Sequence, residues 1–266
     1  MPELPEVETI KRELEKTILG RKIVGVKINN PKVIKQPGTG NFIKGLKNTR
    51  VKKILRKGKL LILELSSGQS LAIHLRMTGQ LVYPGNHKNS RVSFKLSANK
   101  WLDFNDSRLL GELRLLDDWR DLKFIQRLGP EPLDLTAGEF KHMLANRKTK
   151  IKSLLMDQSF IAGVGNIYAV EALFRSRIHP ARPAVSLSDK EKVMLLRQII
   201  SVLRLAIKHR GSSVDQYVQV SGESGDYVRY HKVYNRKGEP CFVCKTTIKR
   251  IALGGRGTYF CSKCQR

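Results

Sequence analysis

The first residues able to do chemistry are the first in the chain: Met1-Pro2-Glu3-Leu4-Pro5-Glu6-Val7-Glu8. Removal of Met1, favoured by the small residue behind it, would leave Pro2 as a free secondary amine. An α-amino group has a pKa of about 7.7–8 against about 10.4 for a lysine side chain, so much more of it is an unprotonated nucleophile at neutral pH. Amines attack carbonyl-like carbons to give Schiff bases, and a proline gives an iminium ion. Glu3 adjoins that amine and Glu6 follows one turn on, so a helix packed through its apolar stripe would hold the nucleophile and two carboxylates in fixed positions. The competing interpretation is a plain helix start whose early acids suit the macrodipole. If Met1 stays, the nitrogen is locked in an amide and the chemistry fails.

Two further groups are chemically loaded. Cys241 and Cys244, then Cys261 and Cys264, form two Cys-x2-Cys pairs separated by sixteen residues. In a cytosolic chain this spacing predicts one structural Zn2+ held by four thiolates on two hairpin knuckles, stabilising a tail with little core of its own. Between the pairs, Lys249–Tyr259 reads as two strands around a glycine turn with Arg256 near its tip. The third group is Phe160-Ile161-Ala162-Gly163-Val164-Gly165-Asn166-Ile167-Tyr168. A helix ends there, two glycines permit tight turns, and Asn166 can cap a second helix whose first N–H groups suit a phosphate. Alone, Gly-x-Gly-Asn is an ordinary helix connection; Lys148, Lys150 and Lys152 just before it tilt it toward a nucleic-acid backbone.

Elements must hold these groups in place. Pro5 suits the first position of a helix, and Val7, Ile10, Leu14 and Ile18 recur behind it at helical spacing. After it, Lys22–Asn30, Val51–Leu55, Leu60–Leu65, Leu71–Leu75, Leu81–Tyr83, Val92–Leu96 and Trp101–Phe104 read as short strands punctuated by Gly and Asn. One helix followed by many short strands predicts a β-sandwich or barrel-like domain over 1–131. It ends at Leu128-Gly129-Pro130-Glu131-Pro132, a linker by composition. Helices are expected over Ala137–Asn146, Lys150–Gln158, Asn166–Ser176 and Ser188–His209, in a second domain spanning 136–228 that includes a loop at Gly211–Gly225. A β-rich metal finger follows over 229–266. No internal repeat is visible.

Charge names the partner. The 266 residues carry 50 Lys+Arg against 23 Asp+Glu, a net +27, which implies a polyanion, above all nucleic acid. Arg50–Lys59 holds six cations and no acid, Lys141–Lys152 is similarly one-sided, and Arg229–Arg266 holds ten cations against Glu239 alone. A generically basic surface would explain one such cluster but not three. The longest apolar run, Leu60–Leu65, is broken by Glu64 and too short to span a bilayer. The start is acidic rather than basic then apolar, unlike a signal peptide. A soluble, cytoplasmic protein is expected.

Taken together, PELPEVE at the start, GVGNIYA in the middle and the four-cysteine tail with GRGT resemble bacterial formamidopyrimidine-DNA glycosylase along nearly the whole chain. The resemblance implies an α+β fold of two domains: an N-terminal β-sandwich with flanking helices, and a C-terminal helix–two-turn–helix domain with a zinc-finger hairpin, DNA running through the cleft between them. It implies a bifunctional glycosylase and AP lyase of base excision repair that acts, as a monomer, on double-stranded DNA containing oxidised purines or abasic sites. By the same resemblance Pro2 attacks C1′ of the damaged nucleotide, Glu3 is the general acid/base, and Glu6 lies in the base pocket. Lys59 serves the lesion phosphate and β-elimination, Asn166 and Arg256 clamp that phosphate, and Arg256 is linked to δ-elimination. Lys148, His74 and Arg91 fall at DNA-contact positions. Met77, Arg108 and Leu110 resemble the trio that fills the hole left by the flipped nucleotide; without the resemblance, Met77 and Leu110 would read as strand-end packing.

Three positions depart from the family pattern. Leu110 replaces the usual phenylalanine and loses aromatic stacking, Arg91 replaces the usual histidine, and Asp215 stands where some members carry lysine. The near alternative is an endonuclease VIII-like enzyme for oxidised pyrimidines; such chains begin PEGPE, and Leu4 favours the purine branch. A non-catalytic zinc-finger nucleic-acid binder would explain charge and cysteines but not a proline amine beside two carboxylates.

Overall fold

The stripe behind Pro5 does form a helix, α1 (Leu4–Thr17), and Val7, Ile10 and Leu14, with Ile18 at its C-cap, are all but sealed from solvent. Leu4 rather than Pro5 is its first residue. The second position also lacks an intrahelical acceptor for its N–H, so a proline there sacrifices no hydrogen bond. The structure, a computed structural model, describes residues 1–88 and 90–266. These divide into one unit of Met1–Gln126 with Ile207–Val228, and another of Arg127–Ala206 with Arg229–Arg266.

In the first unit β1 (Ile23–Ile28), β2 (Ile34–Gln36), α2 (Thr39–Leu46), β3 (Val51–Lys57), β4 (Leu60–Leu65), β5 (Ser70–His74), β6 (Gly79–Val82), β7 (Val92–Leu96), β8 (Lys100–Asp106) and β9 (Glu112–Leu116) follow α1. They make two sheets, ordered β1-β7-β8-β6 and β2-β9-β5-β4-β3. Alternating residues of both turn inward to one core with α1, among them Phe94, Leu102 and Phe104 from the first sheet and Leu61, Leu63, Leu71, Ile73, Leu113 and Leu115 from the second. This is the expected sandwich. The outer face of the second sheet is capped by a smaller cluster in which Leu60, Ile62, Ala72 and Leu116 meet Trp119, Leu122 and Ile125, the last on α3 (Lys123–Gln126).

Four elements of this unit lie outside the sequence patterns, the short β2 and α3 and the longer α2 and β9. In α2 two glycines disfavour helix, but Phe42 and Leu46, four apart, are fully buried; packing, not propensity, makes the helix. Strand β9 is built of Glu, Leu and Arg, all better helix formers, yet it pairs with β5 and buries Leu113 and Leu115 on one face. Residues Tyr217 and Val220, both sunk in the sandwich core, draw Ile207–Val228 to the first unit.

The second unit holds α4 (Ala137–Leu144), α5 (Ile151–Met156), α6 (Asn166–Arg175) and most of α7 (Asp189–Lys208), with a hairpin of β10 (Lys249–Leu253) and β11 (Arg256–Phe260). Val170 and Phe174 of α6 pack on Val233, Ile248, Cys241 and Cys261, which joins helix and hairpin. Among the described residues no helix is long and apolar enough to cross a membrane.

Candidate active site and nucleic-acid interface

Pro2, Glu3 and Glu6 are all buried at the start of α1, Glu3 at 2 % and Glu6 at 1 % exposure. Glu3 is the N-cap, and the two residues cap reciprocally: the Glu3 side chain accepts from the Glu6 backbone while Glu6 Oε2 accepts the Glu3 N–H at 2.7 Å. The other oxygen, Glu6 Oε1, accepts the Ser212 N–H at 2.8 Å. Both carboxylate oxygens are therefore tied down, one by the helix start and one by the Gly211–Gly225 loop. Gly211 allows this. Its φ is +81°, and a Cβ there would come within 2.9 Å of Glu6 Oε1 and of Tyr217 Cε1. Burial first, then the charges of Glu6 and Glu13, pushes the Tyr217 phenol well above its ordinary pKa, and its hydroxyl donates to the Arg210 carbonyl at 3.0 Å. Glu13 Oε2 accepts the Val220 N–H at 2.7 Å, while Tyr83 N–H donates to the Val220 carbonyl at 2.8 Å. The loop is thus pinned to α1 and to the end of β6.

Lys59 sits in the two-residue turn between β3 and β4, where Gly58 has φ +56°. Arg56 anchors that turn: its Nε donates to Glu8 Oε2 at 2.9 Å and its Nη1 to the Gly58 carbonyl at 3.1 Å. His74 ends β5, paired with Leu60. Burial, then the nearby Arg76 charge, pushes its imidazole down to about 4, with Lys59 acting in the same sense. A neutral ring is consistent with its Nδ1 accepting the Arg76 N–H at 3.1 Å.

The void-filling candidates lie on two turns. Met77 and Leu110 are 36 % and 43 % exposed, high for large apolar side chains, and Arg108 Nη1 lies 3.5 Å from Met77 Sδ. Buried Asp106 organises the second turn: its carboxylate accepts from Gly111 N–H at 2.6 Å, from Arg108 N–H at 3.2 Å and from the Thr78 hydroxyl. Arg91 is half-buried and donates to the Asp106 carbonyl at 2.7 Å.

In the second unit Asn166 does not cap α6. Gly165 is the N-cap, in an extended conformation, and Asn166 is the first helical residue. Its Nδ2 donates to the Gly257 carbonyl at 3.1 Å, which brings Asn166 beside the residue following Arg256. Gln158 staples the loop before it, accepting from Gly163 N–H at 2.9 Å and donating to the Val164 carbonyl at 2.7 Å. Arg256 is exposed at the start of β11, after a turn in which Gly254 and Gly255 both have positive φ. Lys148 is exposed on the connection between α4 and α5.

Glu171, fully buried on α6, also holds this assembly, since its carboxylate accepts the consecutive backbone N–H groups of Lys232, Val233 and Tyr234 at 2.9–3.0 Å. Burial raises its pKa, opposed by those hydrogen bonds. Arg56, Asp106, Glu171 and Gly211 are not marked as site residues by the sequence, for Arg56, Glu171 and Gly211 act on groups distant along the chain and Asp106 acts through the geometry of its own turn. Only Glu8 and Arg56, both charged and both within a few residues of a candidate site residue, offer a local hint.

The four cysteines are free of disulfides. Their sulfurs lie within 4.8 Å of one another, with Cys241–Cys264 at 3.9 Å and Cys244–Cys261 at 3.4 Å. A tetrahedral ion with metal–sulfur bonds of about 2.3 Å spaces its ligands about 3.8 Å apart, so the donor set fits zinc.

Comparison with known proteins agrees along the chain. Residues 1–113 match the formamidopyrimidine-DNA glycosylase N-terminal domain, 128–218 the H2TH domain of the same enzymes, and 238–266 the zinc finger found in FPG and IleRS. The formamidopyrimidine-DNA glycosylase of Pelotomaculum thermopropionicum is 44% identical over 276 residues, spanning 100% of this chain and 99% of its own. The crystal structure of the MutM (Fpg) protein of Thermus thermophilus matches with a TM-score of 0.90 at 37% identity, over 99% of this chain and 98% of that one. Lactococcus lactis Fpg in complex with an abasic-site DNA matches at 0.91 and 34% identity, over 99% of each chain. Sheet unit, helical unit and four-cysteine hairpin define the class, a helix–two-turn–helix protein with a zinc finger. Within it, the chain belongs to the formamidopyrimidine-DNA glycosylase family.

Proposed function

We propose that the chain is a bifunctional DNA glycosylase and AP lyase of base excision repair that removes oxidised purines, 8-oxoguanine and formamidopyrimidines, from double-stranded DNA and then cuts the strand. The observation that carries this reading is the buried start of α1, where Pro2 and Glu3 adjoin a Glu6 whose two oxygens are both fixed. Lactococcus lactis relatives bound to DNA containing an abasic site and to DNA containing Fapy-dG support it.

Once Met1 is gone, the Pro2 nitrogen lone pair bonds to C1′ of a flipped nucleotide, and the bond from C1′ to the base breaks with its electron pair leaving on the base. Glu3 takes the proton that the Pro2 nitrogen gives up and passes it to the sugar ring oxygen as the C1′–oxygen bond breaks and the ring opens to the iminium. Loss of a C2′ proton then expels the 3′ phosphate, with Lys59 serving the lesion phosphate, and a second elimination expels the 5′ phosphate with Arg256 beside it. Asn166 joins Arg256 on the lesion phosphate; one amide hydrogen is taken by Gly257 and the second remains for it. Glu6 borders the base, Met77, Arg108 and Leu110 fill the vacated stack, and His74, Arg91 and Lys148 bind backbone. Cys241, Cys244, Cys261 and Cys264 hold one structural zinc ion, which fixes the hairpin and supplies no reacting group.

A paired cleavage assay tests the reading, with one duplex bearing 8-oxoguanine opposite cytosine and another bearing thymine glycol opposite adenine. Preferential cutting of the first is expected. Preference for the glycol would favour the endonuclease VIII-like alternative, a live comparison because a wild-type Lactococcus lactis relative is also known with an oxidised pyrimidine. Cleavage of neither would leave a DNA-binding protein.

A further inference from the structure

At the end of α6 away from Asn166 the second unit has a hollow of about 350 Å³ that the proposed reaction does not use. Helix α6 runs ten residues from Asn166 to Arg175 on the hollow's rim, about 13 Å along the axis. Its lining is divided by chemistry. Phe174, Phe242 and Val243 give it an apolar side, and Arg175, Arg177 and Lys232 a cationic one, with no carboxylate among the lining residues. Phe242 and Val243 are 54 % and 65 % exposed, the highest values for large apolar side chains among the described residues. They lie between Cys241 and Cys244, so the metal knuckle holds them in the open. Arg177 and Lys232 have no carboxylate partner within salt-bridge distance among the described residues, and Arg175 shares only the charge of the buried Glu171. The nearby Glu171 carboxylate is already occupied by backbone N–H groups.

Apolar exposure of this kind marks an interaction surface, and the charge on its rim selects an anionic occupant. A nucleic-acid backbone would answer the cations but leave the apolar side unmet, unless a base stacked on Phe242. That ring is already engaged by its own cations, with the Arg236 guanidinium 3.6 Å from the ring centre and the Lys232 ammonium at 5.0 Å. We infer that the hollow docks an acidic peptide segment of a partner protein, which places a bulky apolar side chain against Phe174 and Val243 and its carboxylates on Arg175, Arg177 and Lys232. Such a partner holds the enzyme while leaving Asn166 and Arg256 clear.

The test uses the full-length, zinc-loaded protein and a fluorescein-labelled peptide of alternating aspartate and glycine carrying a single phenylalanine, followed by fluorescence anisotropy. A second peptide has alanine in place of the phenylalanine. Saturable binding of the first is expected, weakened about tenfold by the phenylalanine-to-alanine change and about as much by Arg177→Glu or Val243→Ser. Cleavage of damaged duplex should be unchanged in both variants, which also verifies their folding. Equal binding of the two peptides, or no effect of either variant, would overturn the inference in favour of unspecific charge attraction. Weakened DNA binding in Arg177→Glu, with peptide displaced by undamaged DNA, would overturn it in favour of nucleic acid.

Discussion

Glu6 takes one N–H from Glu3 and another from Ser212, so its carboxylate has two donors and two oxygens in register. Gly211 makes this possible, because any side chain there would enter the space of Glu6 and Tyr217 and would also force an L-residue into a left-handed conformation. Gly211→Ala should therefore destabilise the protein by about 1–3 kcal/mol and lower damaged-base excision more than DNA binding. Urea unfolding with single-turnover kinetics checks both; an unchanged midpoint would mean the loop is not held through Gly211. The proposed reactive groups can be named from the sequence because amine, carboxylates and thiolates declare their chemistry by type and spacing. What holds them was not legible. Ser212 contributes a backbone N–H, which no residue type announces, and Asp106 acts through the geometry of its own turn.

At the scale of elements, α6 joins the two halves of its unit. Asn166 at its start meets Gly257 of the hairpin, and Glu171 one and a half turns later gathers three backbone N–H groups leading into the finger. Glu171→Gln would turn an amide NH2 toward those donors, leaving buried polar groups unmet at about 1–3 kcal/mol. The variant should lose zinc to a chelator faster than wild type and cut the strand less well; unaltered zinc retention would show that the finger does not depend on this carboxylate. Most of the fold was readable at this scale, since period-2 and helical patterns named the sandwich strands, α1 and the long α7. Helix α2 and strand β9 were lost because burial of Phe42, Leu46, Leu113 and Leu115 overrides what their neighbours prefer. The sequence makes Asn166 a candidate cap, whereas Gly165 fills that position and frees the amide to reach the hairpin.

For the whole molecule, two histidines tie stability to pH. Burial pushes both His74 and His231 down to about 4, while an imidazole in an unfolded chain titrates near 6.5. Between those values the unfolded chain binds protons that the folded chain refuses. Stability is therefore full above about pH 6.5 and falls as pH drops toward about 4, at roughly 1.4 kcal/mol per pKa unit for each group. Urea titrations across that window should show the decline, and His231→Gln should flatten part of it; a flat profile in the parent would mean that neither ring is buried neutral. A net charge of +27 gathers DNA from any direction, but it does not distinguish an enzyme from a binder. The proposed Pro2 nucleophile would. Its most direct test is borohydride trapping of the Met1-processed protein on an abasic-site duplex, followed by peptide mass mapping of the adduct. One covalent adduct on the Pro2 nitrogen is expected, absent when Met1 is retained. No adduct, or one carried by a lysine side chain, would contradict a mechanism built on Pro2.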